Sequence, residues 1–341
     1  MDERLLQAVG DQEAYVVGGA VRDELLGRPV VDVDIACPEP AESARSYAGL
    51  AGGAVFPLSD RHGAWRVAFR DGRTVDFTPL PDGIEADLRT RDFTINAIAI
   101  PLAGGEPVDP HGGRGDLEAR VLRAVAPQIF ADDPIRLLRA ARLEDELGAR
   151  LDEETERLAR AHTQLVTSTP GERILGELVR LSHAGFRRLD ELGLLAPLGG
   201  SLEKLDRAEG IDIPGFSLIC VFGPALESYP ISNRLRRQAR TVFQAERPPD
   251  GSARSLHRFR RVTEPWSREA LVYLGANDLL AALEESRASD PAEPLVRGDE
   301  LGLAPGPDIG RLLEQIAEER AAGTISTRED ALDIVRRDRA T

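Results

Sequence analysis

Two aspartates separated by a single residue, Asp32 and Asp34, follow a glycine pair, Gly18-Gly19, and an Arg22-Asp23 dipeptide. Side chains of an extended chain alternate, so both carboxylates fall on one strand face, while Val31, Val33 and Ile35 fall on the other. Two like charges on one face repel each other unless a cation lies between them. Surface strands sometimes carry such pairs, and a plain tight turn also looks like Gly-Gly. In combination the two features say more. A glycine pair between a strand and a helix lets backbone N–H groups approach an anion. The carboxylate pair beside it then reads as a magnesium site for phosphoryl transfer. Asp76 could reach the same site as a third carboxylate, or could stand as an ordinary outward strand residue.

The elements that must position these residues are legible from patterning. Residues 14–17 read as a short strand entering Gly18-Gly19, followed by a helix through Leu26 that stops at Gly27. Residues 64–70 and 73–78 read as strands joined at Asp71-Gly72, a strong hairpin signal. From about Asp132 the pattern turns helical and stays so to the end. Asp133-Pro134 offers an N-cap residue and a proline at the first helical position. Further helices are expected over 152–161, 170–182 and 184–192. Proline and glycine clusters at 196–200, 247–251 and 290–294 mark candidate boundaries, and no internal repeat is visible. The expected organisation is an α/β head, a mixed small sheet with helices, over 1–125. A helical neck over 126–195 and a helical body and tail over 196–341 follow it.

Five motifs together resemble the class II tRNA nucleotidyltransferase (CCA-adding enzyme) and bacterial poly(A) polymerase family. Gly18-Gly19-Ala20-Val21-Arg22-Asp23 with Asp32-Val33-Asp34 is similar to the first. Arg91-Asp92-Phe93-Thr94-Ile95-Asn96-Ala97 resembles the second, which in that family sits near the ribose of the incoming nucleotide. Asp109-Pro110, Gly112-Gly113 and Asp116-Leu117 are similar to the third. The stretch from Asp132 to Arg139 resembles the fourth, where family members read the base with side chains. Glu172-Arg173-Ile174 with Glu177-Leu178 resembles the fifth, which braces that helix. Order and spacing agree over roughly residues 14–195. A weaker likeness runs over about 297–332.

The resemblance implies transfer of CMP, and in the full reaction AMP, from CTP and ATP to the 3′ end of tRNA without a template. Asp32 and Asp34 would hold two magnesium ions, one activating the RNA 3′ hydroxyl and one holding the triphosphate and leaving pyrophosphate. Gly18, Gly19, Arg22, Arg91, Asp92 and Asn96 would line the nucleotide site. Asp133 supplies acceptors and Arg136 donors three positions apart, on one side of a first helical turn, and such a pair can present an edge complementary to C or A. A cap role would equally suit Asp133, but it leaves Arg136, Arg139 and Arg142 along one face unexplained. His62, His111, His162, His183 and His257 are scattered without a His-Asp dipeptide. The metal-binding hydrolase domain of some relatives is therefore expected to be absent or degenerate, and no histidine is a candidate catalyst.

Departures bear on substrate choice. Thr90 stands where the second motif usually begins with a first arginine, and Asp132 where the fourth usually begins with Glu. Only eight residues separate Asp76 from Glu85. Many full CCA-adding relatives carry a longer mobile loop there, and CC-adding members resemble the shorter form, so CC-only addition is the leading alternative. Val55-Phe56-Pro57-Leu58 lacks the basic signature of the poly(A) branch, which ranks third. A non-catalytic RNA-binding module is argued against by the intact Asp32 and Asp34. A small-molecule nucleotidyltransferase is disfavoured because it has no need of a base-reading pair.

The net charge of −15 sits awkwardly with a polyanionic partner. Its distribution answers part of that objection. Residues 234–268 hold ten arginines against Glu246, Asp250 and Glu264, a local balance of +7. Arg236, Arg237, Arg240, Arg258, Arg260 and Arg261 are accordingly candidates for RNA backbone contact, with solvated helix faces as the plainer reading. Cys37 and Cys220 are the only cysteines, so a disulfide framework and a structural zinc site are not expected. No apolar run approaches membrane length, no secretion signal is visible, and no protein partner is inferred. A reducing cytoplasm is the expected setting.

Overall fold

The structure is a computed structural model that describes residues 2–59, 63–211, 213, 215–291 and 293–339. His62 lies outside these. The described residues form two compact units, 1–198 and 199–341.

The first unit is built on a six-stranded sheet. Its strands are β1 (Tyr15–Val17), β2 (Asp32–Cys37), β3 (Ala54–Ser59), β4 (Ala64–Ala68), β5 (Thr74–Pro79) and β6 (Ala99–Pro101), in the order β3-β4-β5-β2-β1-β6. Only β2 and β5 run parallel. Pro57 and Pro101 both fall on edge strands, where a missing N–H breaks no ladder. Helices α1 (Glu3–Val9), α2 (Gly19–Leu25) and α3 (Pro40–Ala51) accompany the first strands. One core gathers Val16, Val21, Ile35, Val67, Val75 and Phe77 with Leu5, Ala44 and Tyr47. A second gathers Val17, Ala36, Leu80 and Ala97 with Ile84 and Leu88 of α4 (Ile84–Arg89). Alternation along β2 therefore sends Ile35 to the first core, while Asp32, Asp34 and Ala36 share the other face.

The apolar stripe expected of Val31, Val33 and Ile35 is shorter than the sequence pattern implies. Val31 precedes the strand and is 54% exposed, leaving Val33 and Ile35 to pack. The Asp71-Gly72 turn closes as expected, with Gly72 at φ 89° and the Phe69 N–H donating to the Arg73 carbonyl.

Beyond the sheet come α5 (Gly113–Glu118), β7 (Val121–Leu122), α6 (Ile129–Asp132), α7 (Ile135–Leu147), β8 (Arg150–Leu151), α8 (Glu153–Ala161), α9 (Gly171–Leu178) and α10 (His183–Glu191). The purely helical pattern expected here is interrupted once, because β8 pairs in parallel with β7. Two residues are too few for alternation to betray a strand. The second unit is helical: α11 (Phe216–Phe222), α12 (Asn233–Gln244), α13 (Ala253–Thr263), α14 (Ser267–Tyr273), α15 (Leu280–Ala288), α16 (Pro307–Ala321) and α17 (Arg328–Arg339). Its C-terminal part keeps a small core of its own, Val296, Leu301, Leu312, Ile316, Ala331 and Val335. Among the described residues no helix is long and apolar enough to cross a membrane.

Gly113 shows how closely these pieces fit. A Cβ there would stand 2.0 Å from the Thr94 carbonyl oxygen and 2.7 Å from its carbon. Those are backbone atoms of the 3-10 turn Thr94–Asn96 and cannot swing aside. Gly113→Ala should therefore cost about 2–3 kcal/mol or more of stability. Urea titration checks this; a midpoint like that of the parent chain would show that α5 has room to retreat.

Candidate active site

Strand β1 delivers the chain to Gly18, whose φ of 72° a side chain would strain. A Cβ at Gly18 would also lie 3.2 Å from Asp34 Oδ2 and 3.3 Å from an Arg91 Nη1. Glycine thus lets the turn press directly against the carboxylate. Register fixes the rest of the acidic cluster: Asp34 lies opposite Val17 on β1 and Asp76 on β5, and Asp32 opposite Thr74. The Thr74 hydroxyl donates to Asp32 Oδ1 at 2.8 Å. Arg66 on β4 grips Asp76 through both oxygens, each at 2.7 Å. Burial pushes the Asp34 carboxyl above its usual range, the Asp76 and Asp32 charges add to that, and Arg91 and Arg66 oppose it.

Behind this cluster runs a chain of buried polar contacts. Arg22 clamps Asp23 and donates to Asn96 Oδ1 at 2.8 Å, and Asn96 Nδ2 donates to Asp92 Oδ1 at 3.0 Å. Arg139 of α7 donates to the other Asp92 oxygen at 2.9 Å and to Glu177 of α9 at 3.4 Å. Arg142, also buried, donates to Glu177 and Glu146 at 2.5 Å each. Burial alone would raise the Asp92 pKa, but Arg139, Asn96 and the Phe93 N–H hold it below the usual carboxylate range. Arg136 donates to the Thr90 carbonyl at 2.7 Å and to that of Ile129 at 3.4 Å. The result is one polar cleft of about 730 Å³, with Gly18, Asp32 and Asp34 on one wall and Arg136 and Arg139 on another.

Residues 14–81 and 65–123 match the model of the poly A polymerase head domain. The A-adding tRNA nucleotidyltransferase of Deinococcus radiodurans is 33% identical, over 95% of this chain and 95% of its own length. The chain belongs to the class II tRNA nucleotidyltransferase family. The CC-adding tRNA nucleotidyltransferase of Thermus thermophilus is 29% identical over 94% of this chain and 92% of its own. Among solved structures, the Bacillus stearothermophilus CCA-adding enzyme in complex with CTP matches with a TM-score of 0.76 at 25% identity, covering 98% of this chain and 96% of that one.

Within this nucleotidyltransferase fold the cleft brings together Gly18, Gly19, Arg22, Asp32, Asp34, Arg91, Asp92, Asn96, Arg136, Arg139 and Arg142. Two residues expected with them are placed otherwise. Asp76 does not line the cleft, since Arg66 occupies its oxygens. Asp133 is absent from the wall as well. Its carboxylate is forked by Arg173 of α9 at 2.9 and 2.8 Å, with the Ile135 N–H of α7 and the Arg136 charge as lesser influences. Asp87, Thr90, Glu177 and Arg180 also line the cleft and were not among the expected site residues. Asp87 had a visible signal, lying four positions before Arg91 on a helix that ends at Arg89, and it holds Arg91 at 2.7 Å.

The arginine-rich window lies in the second unit and is largely occupied. Arg240 meets Glu227, Arg258 meets Glu318, Arg261 meets Glu314, and Arg260 meets Glu264 and Asp290. The balance of +7 is therefore no measure of free positive surface, because acids from outside the window fold onto it. Arg236 and Arg237 have no ion-pair partner among the described residues.

The raised Asp34 pKa carries a stability consequence. The fold favours the protonated form, so the folded chain binds more protons between the ordinary value near 3.8 and the raised one. Stability then falls as pH rises through that window, and above it the full penalty remains. Asp34→Asn should melt above the parent chain at pH 7 without divalent cations. Magnesium should raise the parent's melting temperature and leave the variant's unchanged. Thermal melts with and without magnesium check both; a variant that melts lower would show that the Asp34 charge is welcome in the fold.

Proposed function

We propose that this chain transfers CMP, and in the full reaction AMP, from CTP and ATP to the 3′ end of tRNA, acting in the cytoplasm. The observation that carries this reading is the single cleft that has the Asp32–Asp34 pair at one end and Arg136 at the other. A nucleotide spanning it would put its phosphates by the carboxylates and its base by α7. The CTP complex of the Bacillus stearothermophilus relative supports a nucleotide of that kind.

The donor set suits magnesium. It is a pair of hard carboxylates, one partly buried among like charges, and Mg²⁺ usually takes one or two protein carboxylates beside substrate phosphates and water. Among the described residues no group of three or more His, Cys, Asp or Glu could hold a metal, so the remaining ligands would come from nucleotide and solvent. Bound there, magnesium would supply activation of the RNA 3′ hydroxyl and neutralisation of the triphosphate. The chain's own part is positioning. Thr74 orients Asp32. Gly18 and Gly19 leave room for phosphate, and Arg91 adds positive charge next to Asp34. The Asp92–Asn96–Arg22 contacts fix the floor below the ribose. Asp133 and Arg136 read the base, with Asp133 released from Arg173 when it does so. RNA backbone is met by Arg236, Arg237 and Arg240 on the second unit. The domain roles follow: head for chemistry over 1–125, neck for base choice over 126–195, body and tail for RNA over 196–341.

A second reading, addition that stops after CC, is favoured by one feature. Only Leu80 to Gly83 connect β5 to α4. Leu80 is buried and donates its N–H to the Cys37 carbonyl, and Ile84 is buried too. So short and anchored a link is a poor lever for switching the pocket from C to A. Against it stands the A-adding relative, similar over nearly the whole chain.

The test offers tRNAs ending before CCA, after C and after CC, with single labelled nucleotides and magnesium. CMP should enter the first two, and Asp32→Ala should lower that rate by roughly 10³-fold or more. ATP on the CC-ended tRNA separates the two readings: efficient terminal A removes the CC-only one, and no extension removes full CCA addition. Absence of any incorporation would remove the transferase reading itself. Base reading has its own check. Arg136→Ala should reduce discrimination among the four nucleotides by about 1–3 kcal/mol, whereas equal loss with all four would assign Arg136 to the Thr90 contact alone.

A further inference from the structure

Arg254, Arg258 and Arg261 lie at i, i+4 and i+7 on α13 and so share one face. That face is met by acids of α16. Arg254 donates to Glu319 at 2.7 and 2.8 Å and to Glu318 at 3.1 Å, Arg258 to Glu318 at 2.6 Å, and Arg261 pairs with Glu314 at 2.8 Å. The pairs run in antiparallel order, carboxylate against guanidinium, for the length of the seam. Ala253 and His257 of α13 face Leu313, Ile316 and Ala317 of α16 across a cleft of about 950 Å³. The apolar residues of α16 otherwise serve the separate core around Leu312, Ile316 and Val335.

The arginines remain accessible, at 37%, 66% and 50% side-chain exposure. Glu314 is exposed too, whereas Glu318 and Glu319 are largely covered, and ion pairs with a solvent-exposed partner hold weakly and exchange readily. An RNA phosphate suits the same guanidinium fork that a carboxylate does, and it brings counterion release that a fixed glutamate cannot. A strongly acidic chain that binds a polyanion, and that covers an arginine row of its second unit with its own glutamates, has an interaction surface under a removable cover.

We propose that the α13 row Arg254, Arg258 and Arg261 is a phosphate-contact surface for tRNA, and that Glu314, Glu318 and Glu319 of α16 occupy it as internal competitors until RNA displaces them. The proposal rests on the transferase reading for the identity of its ligand, and its test separates the two.

Affinity for a tRNA transcript ending before CCA is measured against salt for four chains: the parent, E314Q/E318Q/E319Q, R254Q/R258Q/R261Q, and a charge control. The control, E209Q/E285Q/E329Q, makes the same change in net charge at exposed acids away from the seam. The seam-acid variant should bind roughly ten-fold tighter near 0.1 M salt, its slope of log K against log salt steeper by about 2. The arginine variant should bind more weakly than the parent with a shallower slope, and the control should shift far less than the seam-acid variant. If the seam is only a clamp, both seam variants loosen it alike and move affinity in the same direction. That result, or a control equal to the seam-acid variant, would overturn the proposal. CMP incorporation by the parent on the same transcript is scored separately. Incorporation with same-direction shifts removes only the seam, and opposite shifts without incorporation remove only the transferase.

Discussion

Asp92 lies almost wholly out of water, with both carboxylate oxygens engaged by Arg139, Asn96 and the Phe93 N–H. Those partners belong to different parts of the first unit, and each is tied onward, Asn96 to Arg22 of α2 and Arg139 to Glu177 of α9. Removing one partner of a buried pair costs about 3–5 kcal/mol because the other is left charged and unsolvated. The wall that carries Asp34 and the helix that carries Arg136 are thereby held in one frame. A nucleotide can be gripped at its phosphates and inspected at its base only if that distance is constant. Asp92 accordingly serves that frame through Asn96 and Arg139.

The same economy appears at Asp34. Its carboxylate is partly buried beside two others, against the interest of stability, and its neighbours only moderate the strain: Arg66 takes up Asp76, and Arg91 stands by Gly18. An electrostatic defect maintained by so many contacts marks a candidate functional site, because structure alone gains nothing from it.

What could be read from the sequence was whatever has a short period. Alternation put Asp32 and Asp34 on one face, Asp71-Gly72 announced its hairpin, and the helices around 152–161 and 184–192 emerged near their patterned positions. Motif order, together with the family likeness, carried the head. Partners distant in sequence were not legible. Nothing local says that Asp133 will meet Arg173 forty positions on, that Arg66 will reach Asp76 across a ladder, or that Glu314 and Glu318 will fold onto an arginine window some sixty residues earlier. Charge counted along a chain overstates charge presented to a ligand for that reason. Val31 erred the other way: it fitted the period but fell outside the strand.

The parallel pairing of β2 with β5 also bears on how the chain folds. β4 and β5 meet through a local turn, and β1 reaches β2 within about twenty residues, but β2 and β5 join across some forty, with α3 and β3 between them. Contacts so separated in sequence form late, because the loop entropy must be lost before they are gained. Asp34 and Asp76 face each other only in that ladder. The Asp34–Asp76 part of the site's charge repulsion arises only where β2 meets β5, while the Asp32–Asp34 part is present within β2 itself. Pairing β2 with β5 is therefore a step that acid, which neutralises the carboxylates, eases.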